Sequence, residues 1–130
     1  VDYFESFFRV DLPLEKLDIV ALTDFSVLGM ENWGMMTFLK DHLLVTESTP
    51  IERRQRIARL IGHEVAHQWY GNMISVASWQ QLWLKEGFCR YLEFLFVTHT
   101  FPQWSMWGEF ISQILDDALQ MDCRVDKTHP

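Results

Sequence analysis

The sequence predicts an α+β fold in which a small sheet precedes the helices. Short apolar runs, separated by Gly and Pro, fill the first third of the chain, whereas helical periodicity and helix-start signals dominate the remainder. With 130 residues, 48% of them hydrophobic, the chain has the size and composition of one ordinary domain. We therefore expect residues 1–130 to belong to one compact unit.

The first third is expected to contain a short helix and several strands. Aromatic residues at positions 3, 4, 7 and 8 follow helical spacing and predict an amphipathic helix over residues 1–8, which must end before Pro13. Residues 17–22 are typical of a strand. Two further apolar runs, 35–39 and 42–45, predict neighbouring strands on either side of Lys40 and Asp41.

Three helices are expected in the remainder. Thr49 as N-cap, Pro50 at the first helical position and Glu52 closing a capping box predict a helix that runs to about residue 70 and stops at Gly71. A second helix is expected from about residue 78 to 97, and a third from about 104 to 121. Five tryptophans are predicted to lie in the core: Trp69, Trp79, Trp83, Trp104 and Trp107.

Charge and composition exclude several classes of protein. A net charge of −7 argues against nucleic acid as a partner, and the one basic cluster is predicted to be a solvated helix face or a domain contact. That cluster consists of Arg53, Arg54, Arg56 and Arg59. The sequence contains no run of 18 apolar residues, so no membrane-spanning segment is predicted within it. The chain lacks a starting Met and has no stop signal for a final element, so we expect both ends to be truncated.

A metal-binding pattern lies on the first long helix. His63, Glu64 and His67 form HExxH, and on a helix the two His side chains project about 40° apart from one face. This arrangement can hold one zinc ion, and Glu64 is placed to act as general base toward a water in the open coordination position. The motif also arises by chance, and the alternative is a hydrogen-bonded polar cluster in the core.

A third ligand is predicted on the second helix. Catalytic zinc requires three protein ligands, and Glu86 follows His67 after an 18-residue interval, residues 68–85, in an otherwise apolar segment. Glu93 lies on the same face and could accept a hydrogen bond from a ligand His, which would orient the ring. A solvated or ion-paired Glu93 is the alternative. Cys89 is predicted to be a small core residue.

These motifs and their flanks resemble the M1 family of zinc aminopeptidases, a gluzincin family. The segments 67–72, HQWYGN, and 83–88, WLKEGF, match the family around the zinc ligands. Gly29, Met30, Glu31 and Asn32 are similar to its GxMEN signature. The resemblance extends from Asp2 to the His129–Pro130 end, and residues 101–104 look most like the puromycin-sensitive branch.

The resemblance implies a fold, an activity and partners. It implies that residues 1–130 are a fragment of a thermolysin-like peptidase catalytic domain that binds one zinc ion per chain. Glu31 would bind the free α-amino group of a peptide substrate, beside Gly29, Met30 and Asn32. The implied partners are peptides with a free N-terminus and the remaining domains of the parent protein. A cytoplasmic location is expected, in line with the absence of a cysteine framework.

Several positions depart from the family pattern. Leu28 replaces the first Gly of the signature, Lys85 replaces the usual Asn before Glu86, and Cys89 and Arg90 replace small residues after it. A cation beside a ligand carboxylate could weaken metal binding. Two alternatives therefore stay open: a catalytically impaired zinc-binding module, and a thermolysin-type endopeptidase. The isolated 130 residues are expected to show weak activity or none, since they lack the family's oxyanion-binding tyrosine and helical cover.

Overall fold

The computed structural model describes residues 1–124 and confirms the α+β fold, with a small sheet followed by helices. Residues His129 and Pro130, included in the resemblance, lie outside the described part. The regular elements are α1 (Asp2–Phe8), β1 (Asp18–Leu22), β2 (Gly29–Met30), β3 (Met35–Leu39), α2 (Ile51–His67), α3 (Leu82–Thr100), α4 (Met106–Glu109) and α5 (Asp116–Asp122). A π-helical stretch, Phe110–Leu115, joins α4 to α5, so the predicted third long helix is present.

The sheet has the strand order β1-β3-β2. β1 runs parallel to β3, with Asp18 opposite Met35, whereas β2 pairs antiparallel with β3. This order places β2 at one edge of the sheet. Because Gly29 contacts Glu64 of α2, the edge strand lies beside the helix that carries the HExxH motif.

The strand predicted at residues 42–45 is wrong. The chain instead makes a 3-10 turn over Lys40–His42, and the amides of Leu43 and Leu44 both donate to the Lys40 carbonyl. A backbone that folds back on Lys40 has no free donors at these positions for pairing with a neighbouring strand.

The beginning of α2 also differs from the prediction. Thr49 does not cap the helix, because its hydroxyl accepts a hydrogen bond from the Thr46 amide at 2.8 Å. Pro50 is the N-cap residue with an extended conformation, and no side chain bonds to the first turn. Arg54 instead donates to the Thr46 and Thr49 carbonyls, which ties the preceding loop to the helix.

The core lies between α1, the sheet, α2 and α3. Phe4, Phe38, Ala66 and Cys89 are buried in one cluster. The Trp69 indole also lies in this cluster and donates to the Val10 carbonyl at 2.9 Å. Burial of each large apolar side chain contributes about 1.5–3 kcal/mol. Since Ala66 and Cys89 are next to the predicted ligands in space or sequence, the site rests on well-packed core.

Three of the five tryptophans predicted in the core are at the surface instead. Trp69 is buried and Trp104 partly so, whereas Trp79 and Trp83 are 84% and 65% exposed and Trp107 is 37% exposed. The reason is that the buried residues of α3 begin at Cys89, whereas Trp83 lies in the first turn, where the structure buries no residue. Within residues 1–124, no helix is long and apolar enough to cross a membrane.

Candidate metal centre and active site

The structure brings the three predicted ligand atoms together. His63 Nε2 lies 3.0 Å from His67 Nε2, and Glu86 Oε2 lies 3.3 Å from the former and 3.4 Å from the latter. Tetrahedral zinc with bonds of about 2.0–2.1 Å separates its ligand atoms by roughly 3.3 Å. The two nitrogens and one carboxylate oxygen therefore have the spacing and the chemistry of a zinc-binding set.

Both histidines present their Nε2 atoms to the shared centre. His67 Nδ1 lies 2.8 Å from the Tyr70 carbonyl oxygen, which can only accept a hydrogen bond. The proton must therefore be on Nδ1, which leaves Nε2 free to bind a metal. The i, i+4 spacing on α2 places the two ring centroids 4.6 Å apart.

Glu93 lies behind His63 and is 1% exposed. Its Oε2 is 3.0 Å from His63 Nδ1, a close ion-pair contact whose direction falls short of hydrogen-bond geometry. Its Oε1 accepts hydrogen bonds from Arg59 and Arg90, each at 3.0 Å. The Arg59 side chain is only 12% exposed, so the predicted solvated face is wrong at this position.

This carboxylate network changes the charge state of His63. Burial opposes a charged ring, but the carboxylates of Glu86 and Glu93 outweigh it and raise the pKa of His63 to about 9. The pKa of Glu93 is lowered, because His63 and the two arginines outweigh the effect of its burial. The ring of His63 thus lies between two carboxylates, with Glu86 on its Nε2 side and Glu93 on its Nδ1 side.

Glu64 points into the same region and is 4% exposed. Burial, together with the carboxylates of Glu31 and Glu86, raises the pKa of Glu64 to about 7 despite the nearby histidines. A Cβ atom at Gly29 would lie 2.3 Å from Glu64 Oε1, so only glycine leaves room for this position of the carboxyl group. The edge strand therefore closely approaches the predicted base.

Glu31 is also buried beside the site, at 8% exposure. The carboxyl groups of Glu31 and Glu64 and a ring nitrogen of His67 each offer an atom within 4.8 Å of the others. The Glu31 carbonyl oxygen accepts hydrogen bonds from Gln68 at 3.0 Å and Asn72 at 2.7 Å. These contacts from the end of α2 fix the loop that carries Glu31.

Sequence reasoning missed the positioning roles of Gln68 and Asn72. Gln68 is fully buried and also accepts a hydrogen bond from the Gly34 amide at 3.2 Å, so it holds both ends of the 31–34 turn. The sequence did contain one signal for Gln68: it is a polar residue on the core-facing side of the predicted helix, directly after the predicted ligand His67. The partners, however, are 34 and 37 residues away and leave no local pattern.

The other predicted substrate-binding residues occupy the strand and turn around Glu31. Gly29 and Met30 form β2, and Met30 is 40% exposed. The side-chain amide of Asn32 donates a hydrogen bond to the Thr37 hydroxyl of β3 at 3.1 Å, so this side chain closes the turn between the two strands. A cavity of about 340 Å³ adjoins Gly29, His63 and Glu64.

Lys85 and Cys89 also border the site. The Lys85 ammonium forms an ion pair with Glu31 and lies 3.5 Å from Glu86 Oε1. Cys89 is fully buried, as predicted, with its Sγ 3.1 Å from His67 Nδ1. Burial and the Glu86 charge raise the pKa of the Cys89 thiol far above its ordinary value, so it is a neutral core group.

Comparison with known proteins connects these residues to a peptidase family. The family description "Peptidase family M1 domain" matches residues 1–130. The alanine/arginine aminopeptidase of Saccharomyces cerevisiae is 39% identical over 129 residues, 98% of this chain and 15% of that protein. The puromycin-sensitive aminopeptidase of Caenorhabditis elegans is 36% identical over 131 residues, and the leucyl aminopeptidase of Saccharolobus solfataricus 34% over 130. Both of these matches include 100% of this chain, but they cover only 14% of the Caenorhabditis elegans protein and 16% of the Saccharolobus solfataricus protein.

Proposed function

The chain belongs to peptidase family M1, and from this we propose that residues 1–130 form part of the catalytic domain of a zinc aminopeptidase. The observation that carries the proposal is the cluster of His63, His67 and Glu86, whose ligand atoms lie 3.0–3.4 Å apart. Glu64 and Glu31 lie buried beside that cluster. Because the chain spans about 15% of its relatives, the activity is proposed for the full-length protein.

One zinc ion per chain would be held by His63, His67 and Glu86. Zinc supplies Lewis-acid chemistry, which polarises a bound water and the peptide carbonyl. The chain's own contribution is orientation: the Tyr70 carbonyl holds the ring of His67, and Glu93 lies against the ring of His63. Both rings are therefore fixed before any ligand binds.

Glu64 is proposed as the general base and acid. A carboxyl group with a pKa near 7 can accept a proton from water and return it to the leaving amine at neutral pH. The Glu64 side chain is confined between α2 and the Gly29 backbone, so its position relative to His63 and His67 is defined. The burial that raises its pKa also keeps bulk water away from the transferred proton.

Glu31 is proposed to select substrates with a free N-terminus. Its carboxylate is charged, since Lys85 and His67 outweigh burial and lower its pKa. An α-ammonium group gives this carboxylate a charge-assisted contact that an internal peptide segment would lack. The proposed substrates are therefore peptides with a free amino terminus, and the proposed partners are these peptides and the remainder of the protein. A cytoplasmic location is proposed as well.

The test uses the zinc-loaded full-length protein and one peptide in two forms, with a free and with an acetylated N-terminus. We expect release of the first residue from the free peptide only. Glu64→Gln should lower kcat by about 10²–10⁴, the range for loss of a general acid–base group. Glu47→Gln, a change at an exposed loop carboxylate, is the matched control. Equal cleavage of the acetylated peptide would instead indicate an endopeptidase, and full activity of Glu64→Gln would contradict the role of Glu64.

A further inference from the structure

Lys85 occupies the carboxylate that the proposed function assigns to the substrate. Its side chain is 15% exposed, and its ammonium forms an ion pair with Glu31 across 54 residues of sequence. Lysine Nζ and a peptide α-amino group are both ammonium ions at neutral pH, and the Glu31 carboxylate carries one negative charge for either of them. Two ammonium groups on one carboxylate repel each other, so the contact with Lys85 weakens the contact with a second ammonium group.

The position of Lys85 is fixed by its aliphatic stem. A Cβ atom at Gly71 would lie 2.9 Å from Lys85 Cδ and 3.3 Å from Cε, so the stem runs closely over the Gly71 backbone. Gly71 itself has φ +133°, a conformation that favours glycine and opens this passage. The stem is thereby directed from α3 across the end of α2 to Glu31.

We propose that Lys85 is a specificity-determining residue that competes with the substrate α-ammonium group for Glu31. The inference rests on the proposed role of Glu31 in binding a free N-terminus. The amino group of a peptide must either share the single negative charge of Glu31 with Lys85 or displace Lys85 from it. Free-amine peptides are therefore bound more weakly than the carboxylate alone would allow, whereas peptides with a blocked N-terminus are unaffected.

A second carboxylate makes the displacement possible. Glu86 Oε1 lies 3.5 Å from Lys85 Nζ, on the opposite side of the carboxyl group from the Oε2 atom that faces the two histidines. When Lys85 leaves Glu31, it can pair more closely with Oε1 and remain partnered. Without this second carboxylate, moving the partly buried Lys85 ammonium away from Glu31 would leave its charge unpaired, which would cost free energy.

The test measures peptide binding rather than turnover. Full-length protein carrying Glu64→Gln, which should cleave about 10²–10⁴ times more slowly, is titrated calorimetrically with trialanine and with N-acetyl-trialanine. Adding Lys85→Met, which keeps most of the stem and removes the charge, should lower the Kd of trialanine about tenfold, the factor expected from one competing charge-assisted contact. The Kd of the acetylated peptide should not change, and Lys85→Arg should retain the weak binding.

Two controls separate competition from other effects. Lys16→Met removes a lysine that is 77% exposed and paired with Asp18, and should alter neither Kd. Glu31→Gln should abolish the gain produced by Lys85→Met. An unchanged or higher Kd for trialanine in Lys85→Met would overturn the inference, because Lys85 would then merely support Glu31. An equal gain for both peptides, or no binding of trialanine in either background, would also overturn it.

Activity of the protein with Glu64 intact is measured separately. If Lys85 competes with substrate, Lys85→Met should lower KM about tenfold with little change in kcat. Absence of any cleavage by this protein would count against the proposed function. The binding result in the Glu64→Gln background decides the role of Lys85 independently of that outcome.

Discussion

Replacement of Glu93 by glutamine should destabilise the protein and weaken metal binding together. Glu93 is 1% exposed and accepts hydrogen bonds from Arg59 and Arg90, each at 3.0 Å. Hydrogen bonds to a charged group contribute about 1.5–3 kcal/mol each, and removing one partner of a buried ion pair costs about 3–5 kcal/mol. Glutamine has the same shape but lacks the charge, and one of its two terminal atoms can only donate.

The local structure moves the expected value toward the lower end of that range. In the variant, Arg59 would keep its ion pair with Glu109 at 2.5 Å and its position 4.1 Å from the centre of the Phe94 ring. Arg90 is 49% exposed, so water can hydrate its charge. We therefore expect Glu93→Gln to lower the free energy of unfolding of the metal-free protein by about 2–3 kcal/mol. Zinc affinity should fall about 10–100-fold, since His63 loses the carboxylate behind it.

Urea unfolding followed by tryptophan fluorescence measures the first effect, and chelator competition measures the second. Glu109→Gln is the matched control, because its side chain is 25% exposed and contacts Arg59 but not His63. Glu109→Gln should lower the free energy of unfolding by about 1 kcal/mol and leave the zinc affinity unchanged. A loss below about 1 kcal/mol for Glu93→Gln, with normal zinc affinity, would refute the reasoning about this network.

Four further predictions concern three substitutions at glycine and one change of pH. A Cβ atom at Gly87 would meet no atom within 4 Å, so Gly87→Ala should raise the free energy of unfolding by about 0.5–1 kcal/mol. A Cβ atom at Gly62 would lie 2.6 Å from the Phe96 ring, so Gly62→Ala should lower the free energy of unfolding by about 1–2 kcal/mol. Urea unfolding measures both changes. Gly29→Ala should displace Glu64 and lower kcat about tenfold with zinc content unchanged, measured by peptide cleavage and elemental analysis. His63 binds its proton more tightly in the folded metal-free protein, so its contribution to stability should be fully present near pH 6.5 and below and fall by about 3 kcal/mol toward pH 9, measured by urea unfolding from pH 6.5 to 9. A flat profile between these values would contradict the ion-pair account of His63.

Much of the fold could be predicted because its signals are local. Helical periodicity located the three long helical regions, and the i, i+4 spacing alone places His63 and His67 on one face of α2. The details that failed depend on competing contacts. Thr49 had the right residue type for a cap, but the Thr46 amide uses its hydroxyl, and this competition has no signature in a capping motif.

The electrostatics of the site could not be predicted, because they depend on long-range contacts. Arg59 lies in a run of arginines that is typical of a solvated face, yet it reaches Glu93, 34 residues later. Lys85 was expected to affect Glu86, its neighbour in sequence. It pairs with Glu31, 54 residues earlier, because the turn at Gly71 after α2 allows its stem to pass. Residue spacing predicts partners within one element, whereas these ion pairs connect different elements.

The zinc content of the full-length protein tests the central claim most directly. Elemental analysis is compared for the unmodified protein, Glu86→Ala and Glu64→Gln. If His63, His67 and Glu86 form the metal site, the unmodified protein and Glu64→Gln contain one zinc ion per chain and Glu86→Ala contains none. Zinc retained by Glu86→Ala, or none bound by the unmodified protein, would contradict the assignment of these three ligands.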